Sequence, residues 1–208
     1  MSRVVAVRDD GAPAARAALE RCLEEGGVAL FPADGLYGLA CDPLDAPAIS
    51  RIHRIKGRDD GRPSAVMYFS PLAMRELVGD LGPRARQAVA ALLPGPVTLV
   101  LANPARRYPL ACREDFRRLG VRLIGGPLAG LDRPVFQTSA NRSGEPAPAA
   151  LGEVAEEIHD AVDLAIDGGR LTGSPSTVID LTEVESGGWE ILREGAMARA
   201  EVAEALEG

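Results

Sequence analysis

The chain has 208 residues, of which 46% are hydrophobic and 4% aromatic, and its formal net charge is −7. This length and hydrophobic content suit one domain of ordinary size with a mainly aliphatic core. The net acidity excludes a generally basic nucleic-acid-binding protein, so a nucleotide or RNA would have to bind a local cationic patch.

The first half of the chain alternates between strand and helix patterns. Hydrophobic periodicity predicts a strand at residues 3–7, a helix at 13–25, a strand at 28–32, a Gly-rich loop at 33–42 and a helix at 46–56. A strand at 64–69, helices at 71–79 and 83–95, and a strand at 97–103 follow.

Strands dominate the second half of the chain. They are predicted at 120–124, 135–138, 163–167, 176–181 and 189–194, with helices at 151–162 and 196–207. Because helices and strands alternate early and strands cluster late, we expect an α/β fold. A single domain over residues 1–208 would contain a twisted, mixed β-sheet flanked by helices.

The cysteines and the N-terminus indicate the compartment. Three widely spaced cysteines and two histidines favour reduced thiols and argue against a disulfide framework or a metal centre. The sequence has no apolar run of membrane-spanning length, and the N-terminus lacks a signal-peptide pattern. We therefore expect a cytoplasmic protein.

Four polar motifs punctuate the ends of predicted strands and helices. They are Lys56-Gly57-Arg58, Ser139-Ala140-Asn141, Ser176-Thr177 and Arg193-Glu194-Gly195. Ligands of open α/β sheets gather outside strand ends, where hydroxyls, amides and cations can hold phosphates or a ribose. Each motif alone is also explained by a helix cap, a turn or a surface charge. Dinucleotide-binding, Walker and nucleophile-elbow fingerprints are absent.

Lys56 is the only lysine in a chain with 23 Lys and Arg residues. Codon usage could account for this, and a cation at the end of a helix also suits the helix dipole. A chemical reason is that a compact ammonium fits a tight anion site in which a planar guanidinium is too wide. The motif then predicts an anion site at the end of the helix.

Seven segments follow one another in a recognisable order: VALFPADGLYGLACD, RIHRIKGRDDGRP, LLPGPVTLVL, GVRL, TSANRSGEPAP, PSTVIDL and WEILREGA. Together they resemble the motifs of the YrdC family of threonylcarbamoyl-adenylate synthases. The resemblance covers about residues 14–206 and implies a single YrdC-like domain.

The resemblance implies a nucleotidyltransferase that condenses L-threonine, bicarbonate and ATP, with Mg²⁺ bound through the triphosphate. The products would be threonylcarbamoyl-AMP and pyrophosphate. The former would serve N6-threonylcarbamoyl modification of adenosine 37 in tRNA, which implies transferase proteins as partners. Such a reaction needs neutralised phosphate charge more than a proton shuttle, and the sequence shows cations and hydroxyls without a paired acid and base.

The resemblance also implies site residues, none of them a metal ligand. Lys56 and Arg58 would be catalytic and neutralise the triphosphate, and Arg122 would pair with the amino-acid carboxylate. The nucleotide would be bound by Arg58, Arg62, Arg118, Ser139, Asn141, Ala147 and Arg193. The amino acid would be bound by Ala33, Met67, Arg122, Gln137 and Ser176.

Several residues on the amino-acid side depart from the family pattern. The family has threonines where this chain has Ala33 and Gly35, often a histidine at Met67, and usually a small residue at Gln137. Because a pocket that hydrogen-bonds a hydroxyl discriminates strongly, these changes leave open a divergent paralogue with another acceptor.

A double-stranded RNA-binding or ribosome-assembly module is a further alternative, since members of the family have been described as RNA binders. A steep salt dependence of RNA affinity would favour it, whereas the net charge of −7 argues against strong binding. The cations that could line an RNA-binding face are Arg51, Arg54, Lys56, Arg58, Arg62, Arg117, Arg118 and Arg122.

Overall fold

The computed structural model describes residues 3–57 and 63–207. The strands are β1 (Arg3–Ala6), β2 (Ala29–Pro32), β3 (Tyr37–Cys41), β4 (Ala65–Tyr68), β5 (Val97–Ala102), β6 (Arg118–Leu123), β7 (Val135–Ser139), β8 (Leu164–Asp167), β9 (Thr177–Asp180) and β10 (Glu190–Arg193). The helices are α1 (Val7–Glu24), α2 (Ala46–Ile55), α3 (Arg75–Gly79), α4 (Pro83–Leu92), α5 (Pro109–Cys112), α6 (Glu156–Asp160) and α7 (Arg199–Glu207).

The strands form one sheet in the order β1-β8-β2-β3-β7-β4-β6-β5-β9-β10. The pairs β1/β8, β2/β8, β4/β6 and β5/β9 are parallel, and the remaining pairs are antiparallel. The predicted α/β fold with a mixed sheet is therefore confirmed.

The two faces of the sheet are packed differently. Because successive strand residues point to opposite faces, β6 sends Leu119 and Val121 to one core and Gly120 and Arg122 to the other side. The first core packs against residues of α2 to α7. The other face, which we call the α1 face, packs against α1 at β1, β8 and β2. The α1 face is the side that carries the site described below.

Helix α2 has start and stop signals that position Lys56. The Asp45 carboxylate accepts a hydrogen bond from the backbone N–H of Ala48 at 2.9 Å, which caps the helix N-terminus. Ile52 is fully buried in the core. Gly57 adopts a φ of +61°, a left-handed conformation that favours glycine and ends helices. Lys56 therefore lies at the C-terminal cap of α2.

Two parts of the secondary-structure prediction are wrong, and the short helix α5 is missed by it. Residues 37–41, predicted as part of a loop, form β3, which is fully buried between β2 and β7. The neighbouring glycines suggest a loop, but the sheet supplies hydrogen-bond partners on both sides. The helix predicted at 151–162 is broken, because Val154 is extended between a 3₁₀ turn at Leu151–Glu153 and α6. In the described part of the chain, no helix has both the length and the apolar character needed to cross a bilayer.

Candidate functional site

A cavity of about 610 Å³ lies on the α1 face, beyond the strands that α1 covers. Ala65 on β4 and Gly120 on β6 are paired in register and both line the cavity. The Ala65 methyl group and the lack of a side chain at Gly120 leave room above the sheet, whereas their neighbours Val66 and Val121 are buried in the opposite core. The central strands β4 and β6 thus form the base of the cavity.

Arg122 is the most buried charge of this cavity, with 5% exposure. Its Nη1 donates to the carbonyl oxygen of Ala33 at 3.2 Å, and its Nη2 donates to the Asp34 carboxylate at 3.3 Å. Its Nε is buried and has no partner among the described residues. Burial lowers the pKa of Arg122 to about 10, against the opposing effect of Asp34. A buried guanidinium with one long ion pair and an unused donor is suited to bind a further anion.

A hydroxyl-rich cluster lies at the adjoining ends of β5, β9 and β10. Arg193 Nη2 donates to the carbonyl oxygen of Ser176 at 2.8 Å and to its hydroxyl at 3.2 Å. The Ser176 hydroxyl lies 2.8 Å from the hydroxyl of Thr98. Burial lowers the pKa of Arg193, so this charge also lies in a partly desolvated position. The three side chains line the same cavity as Arg122.

Arg118 brings a third guanidinium to the cavity and pairs with Asp180. Asp180 also accepts hydrogen bonds from the backbone N–H and the hydroxyl of Thr182, at 2.9 and 2.7 Å. Thr182 therefore helps to hold the aspartate in place. Three arginines in one cavity create a local cationic patch in a protein whose net charge is −7.

Lys56 is 2% exposed and does not form part of the cavity lining. Its ammonium donates to the carbonyl oxygens of Ser139 and Asn141 at 2.5 and 2.7 Å. The Ser139 hydroxyl donates to the Asn141 side-chain oxygen at 2.5 Å, and Asn141 Nδ2 donates to the carbonyl oxygen of Glu145 at 2.6 Å. Lys56 thus holds together the turn that presents Ser139 to the cavity.

The structure brings most of the residues singled out in the sequence to this one cavity. Met67 is an exception, because its side chain is fully buried in the α1-face core with Phe69 and Val135 and does not line the cavity. Asn141 lies behind Ser139, and Arg58 and Arg62 lie outside the described residues. The predicted residues in the lining are Ala33, Arg118, Arg122, Gln137, Ser139, Ala147, Ser176 and Arg193.

The turn at residues 33–36 meets the loop at 172–174 at the wall of the cavity. The Gly173 N–H donates to the carbonyl oxygen of Gly35 at 2.9 Å. A Cβ placed on Gly35 would lie 2.0 Å from the carbonyl oxygen of Ser174. Glycine at position 35 is therefore required by the close approach of two backbone segments.

Sequence reasoning misses Asp34 and Thr98, which contact Arg122 and Ser176. Asp34 is separated from Arg122 by 88 positions, and Thr98 from Ser176 by 78. The only signal for Thr98 is the two-residue period of β5, which places it opposite Val97 and Leu99 of the main core. The left-handed backbone of Asp34, with φ of +81°, is visible only in the structure.

The cations considered for an RNA-binding face are in different environments. Lys56 and Arg122 are buried, and Arg51 and Arg118 each pair with an aspartate. Arg117 is largely exposed and contacts Asp115 at 3.3 Å. The arrangement as a whole concentrates positive charge inside the cavity, with hydroxyl groups beside it. Such an arrangement is suited to bind an anionic ligand or several anionic groups.

The family model "Sua5_yciO_yrdC: Telomere recombination" matches residues 21–195. A threonylcarbamoyl-AMP synthase of Pyrococcus abyssi (strain GE5 / Orsay) is 32% identical over 188 residues, covering 86% of this chain and 54% of the relative. The chain thus spans about half the length of that relative. A threonylcarbamoyl-AMP synthase of Thiobacillus denitrificans is 35% identical over 173 residues, covering 80% of this chain and 91% of the relative.

Solved structures give the same result. P. abyssi Sua5 complexed with L-threonine superimposes with a TM-score of 0.83 at 29% identity, covering 99% of this chain and 60% of that one. The family match spans residues 21–195, and the superposition covers nearly the whole of this chain. The chain belongs to the Sua5/YciO/YrdC family.

Proposed function

We propose that the protein is a threonylcarbamoyl-AMP synthase. It would condense L-threonine, bicarbonate and ATP to threonylcarbamoyl-AMP and pyrophosphate. Relatives that carry this name support the proposal, one of them matched over 91% of its length. The complex of P. abyssi Sua5 with L-threonine supports threonine as the amino acid.

Arg122 is the observation that carries the proposal. Its guanidinium is buried, has a single carboxylate partner at 3.3 Å and keeps an unused Nε donor. A free amino acid offers a carboxylate that can accept from a guanidinium through two oxygens. Binding would complete the hydrogen bonds of Arg122 and offset the cost of burying its charge.

The nucleotide would occupy the part of the cavity beside Arg118, Ser139 and Arg193. The two arginines neutralise phosphate charge, and the Ser139 hydroxyl offers a hydrogen bond to phosphate or ribose. Lys56 and Arg58 remain proposed catalytic residues. The hydrogen bond from Lys56 to the turn that carries Ser139 supports a role of this lysine on the nucleotide side of the site.

The proposed chemistry has two steps. The threonine amine adds to the carbon of bicarbonate and water leaves, giving a carbamate. A carbamate oxygen then attacks the α-phosphorus of ATP, the bond from that phosphorus to the bridging oxygen breaks, and pyrophosphate leaves with the electron pair. Charge develops on phosphate oxygens in the second step, and cations that are already held in place stabilise it most effectively.

Mg²⁺ would enter as part of the ATP substrate. The carboxylates near the cavity, Asp34, Asp115 and Asp180, are each paired with an arginine. Triphosphate oxygens would therefore be the main ligands of the ion. The product would pass to transferase proteins that modify tRNA, and these remain proposed partners, as does any direct contact with RNA.

The test is pyrophosphate release from ATP and bicarbonate, with each amino acid supplied separately. Threonine should support release, and Lys56→Ala should serve as the blank. Arg54→Ala, which removes an exposed cation two residues earlier, is the matched control and should keep wild-type activity. Release with a different amino acid would identify a divergent paralogue. Binding of ATP without release for any amino acid would reject the synthase proposal.

A further inference from the structure

Gln137 presents an unpaired amide to the cavity. Its side chain lines the cavity and is only 9% exposed. Among residues 3–57 and 63–207, no hydrogen-bond partner contacts its side-chain oxygen or nitrogen. Its amide oxygen and nitrogen are not among the fully buried unpaired atoms of the described residues, so both are accessible from the cavity, and an amide there offers one acceptor and two donors. The amide is therefore available to a ligand.

Gly38 makes room for this amide in the part of the cavity next to Arg122. A Cβ on Gly38 would lie 3.0 Å from Gln137 Nε2 and 3.1 Å from the Cβ of Ala33. The amide and the Ala33 methyl group therefore flank the same space above Gly38. The carbonyl oxygen of Ala33 in turn accepts from Arg122. The unpaired amide, a methyl group and the buried guanidinium thus belong to one subsite.

The strand register places Gln137 and Arg122 on the same face of the sheet. Ala65 on β4 pairs with Gln137 on one side and with Gly120 on the other. Met67, two residues along β4, pairs with Arg122. Only β4 separates the two strands, and its residue at the level of Gln137 is an alanine. A small molecule held by Arg122 can therefore reach the amide across Ala65.

We infer that Gln137 determines specificity by hydrogen-bonding the side-chain hydroxyl of the amino acid whose carboxylate binds Arg122. This inference rests on the proposed function and names the group that reads the substrate's side chain. The neighbouring Ala33 and Ala65 supply methyl groups without hydroxyls, so the apolar part of that side chain packs there. An amide can donate to a hydroxyl oxygen or accept its proton, whereas a methyl group in the same place leaves the amide unpaired.

The experiment compares L-threonine with L-valine, which replaces the hydroxyl by a methyl group of similar size. Dissociation constants are measured by calorimetry for the wild-type protein and for Gln137→Met, which keeps the length of the side chain. The wild-type protein should prefer threonine by roughly tenfold or more. In Gln137→Met this preference should fall to near one, with valine bound at least as well as before.

Gln87→Met is the matched control. Gln87 is the only other glutamine of the chain and is exposed on α4. Its variant should keep the wild-type preference, and thermal unfolding should show that both variants are folded. A purely structural role of Gln137 would weaken the binding of threonine and valine equally.

Each result has a definite meaning. A wild-type ratio near one, a preference for another class of side chain, or an unchanged ratio in Gln137→Met overturns the inference. If none of the three proteins binds either amino acid, the inference is overturned as well. The wild-type protein could prefer threonine over valine, and lose this preference in Gln137→Met, without releasing pyrophosphate from ATP. That result would uphold the inference and reject the proposed synthase reaction.

Discussion

Arg122 shows how a single residue can be unfavourable for the empty protein and necessary for the bound one. Its charge is desolvated, and Asp34 compensates it from a side chain that is 40% exposed. An incompletely satisfied buried cation costs stability, but the same deficit strengthens the attraction of an incoming carboxylate. Affinity and stability are therefore opposed at this position.

Replacing Arg122 by methionine should separate the two effects. We expect the free energy of unfolding to stay constant or to rise by about 1 kcal/mol, because an apolar side chain of similar length removes a buried charge. Amino-acid affinity should fall roughly 100-fold, as charged hydrogen bonds are lost. Urea unfolding measures the change in stability, and calorimetry measures the change in amino-acid affinity. A variant that is less stable by several kcal/mol would show that Arg122 mainly supports the fold.

Lys56→Arg tests the need for a compact ammonium. The Lys56 nitrogen is buried and lies 2.5 and 2.7 Å from two carbonyl oxygens, so a bulkier planar guanidinium would crowd the turn at 139–141. We expect pyrophosphate release to fall by roughly tenfold or more and unfolding to be easier by about 1–3 kcal/mol. Arg54→Lys, the reverse exchange at an exposed position of the same helix, should change neither. Full activity of Lys56→Arg would show that charge alone matters.

At the scale of residues, the sequence locates the charges of the site better than its apolar contacts. Arg122 and Arg193 lie near the ends of β6 and β10, and ligands of α/β sheets gather outside strand ends, so the approach of both charges to one site is predictable. Met67 lies on the correct face, yet its exposure depends on packing against Phe69 and Val135, which no local pattern encodes. Asp34 escapes prediction because its partner is distant in sequence.

At the scale of elements, the wall of the cavity depends on contact between two irregular segments. The turn at 33–36 connects β2 to β3, and the loop at 172–174 precedes β9. Their hydrogen bond joins Gly173 to Gly35, and the same loop leads to Ser176 and its contacts with Thr98 and Arg193. A displacement of the loop would therefore be transmitted to the hydroxyl cluster.

Gly35→Ala should displace this loop. The added Cβ would meet backbone rather than a flexible side chain, at 2.0 Å, so one of the two segments must move. We expect a loss of roughly 2 kcal/mol in unfolding free energy and a clear drop in nucleotide affinity. The control is Gly152→Ala, where no atom lies within 4 Å of the added group. Equal behaviour of the two variants in urea unfolding and nucleotide titration would contradict the structural role of this contact.

Element boundaries are predictable where local signals are strong. The cap at Asp45 and the left-handed Gly57 delimit α2 almost as the sequence predicts. Strand β3 is different, since its glycines favour a loop and only its pairing with β2 and β7 makes it a strand. Tertiary hydrogen bonding outweighs local propensity there.

At the scale of the whole molecule, the sheet runs from a buried centre to an exposed edge at β10, whereas the opposite edge strand, β1, packs against α1. Strands β7, β4 and β6 lie in the middle of the order and are buried, whereas β10 pairs only with β9 and has mostly exposed side chains. Edge strands open more readily than central ones, because fewer contacts are lost when they do. The site spans both regions, since Arg122 is on β6 and Arg193 is on β10.

Amide hydrogen exchange should show this gradient. Exchange of β10 should be faster than that of β4 and β6 by several orders of magnitude, because local opening there costs much less than global unfolding. Addition of ATP should slow exchange in β10, where Arg193 would meet the nucleotide. Equal protection of β10 and β4 without ligand would contradict the gradient, and unchanged exchange with ATP would argue against a role for Arg193.

The alternation of side chains along β6 has a consequence for how such a protein can change over time. Leu119 and Val121 lie in the core, while Gly120 and Arg122 line the cavity, although all four residues are consecutive. Positions that face the cavity and make no core contacts, such as Gly120, can thus be exchanged without repacking the opposite core. Substrate preference can diverge quickly in a lineage while the scaffold is conserved, and directed evolution of new acceptors should concentrate its libraries on those alternate positions.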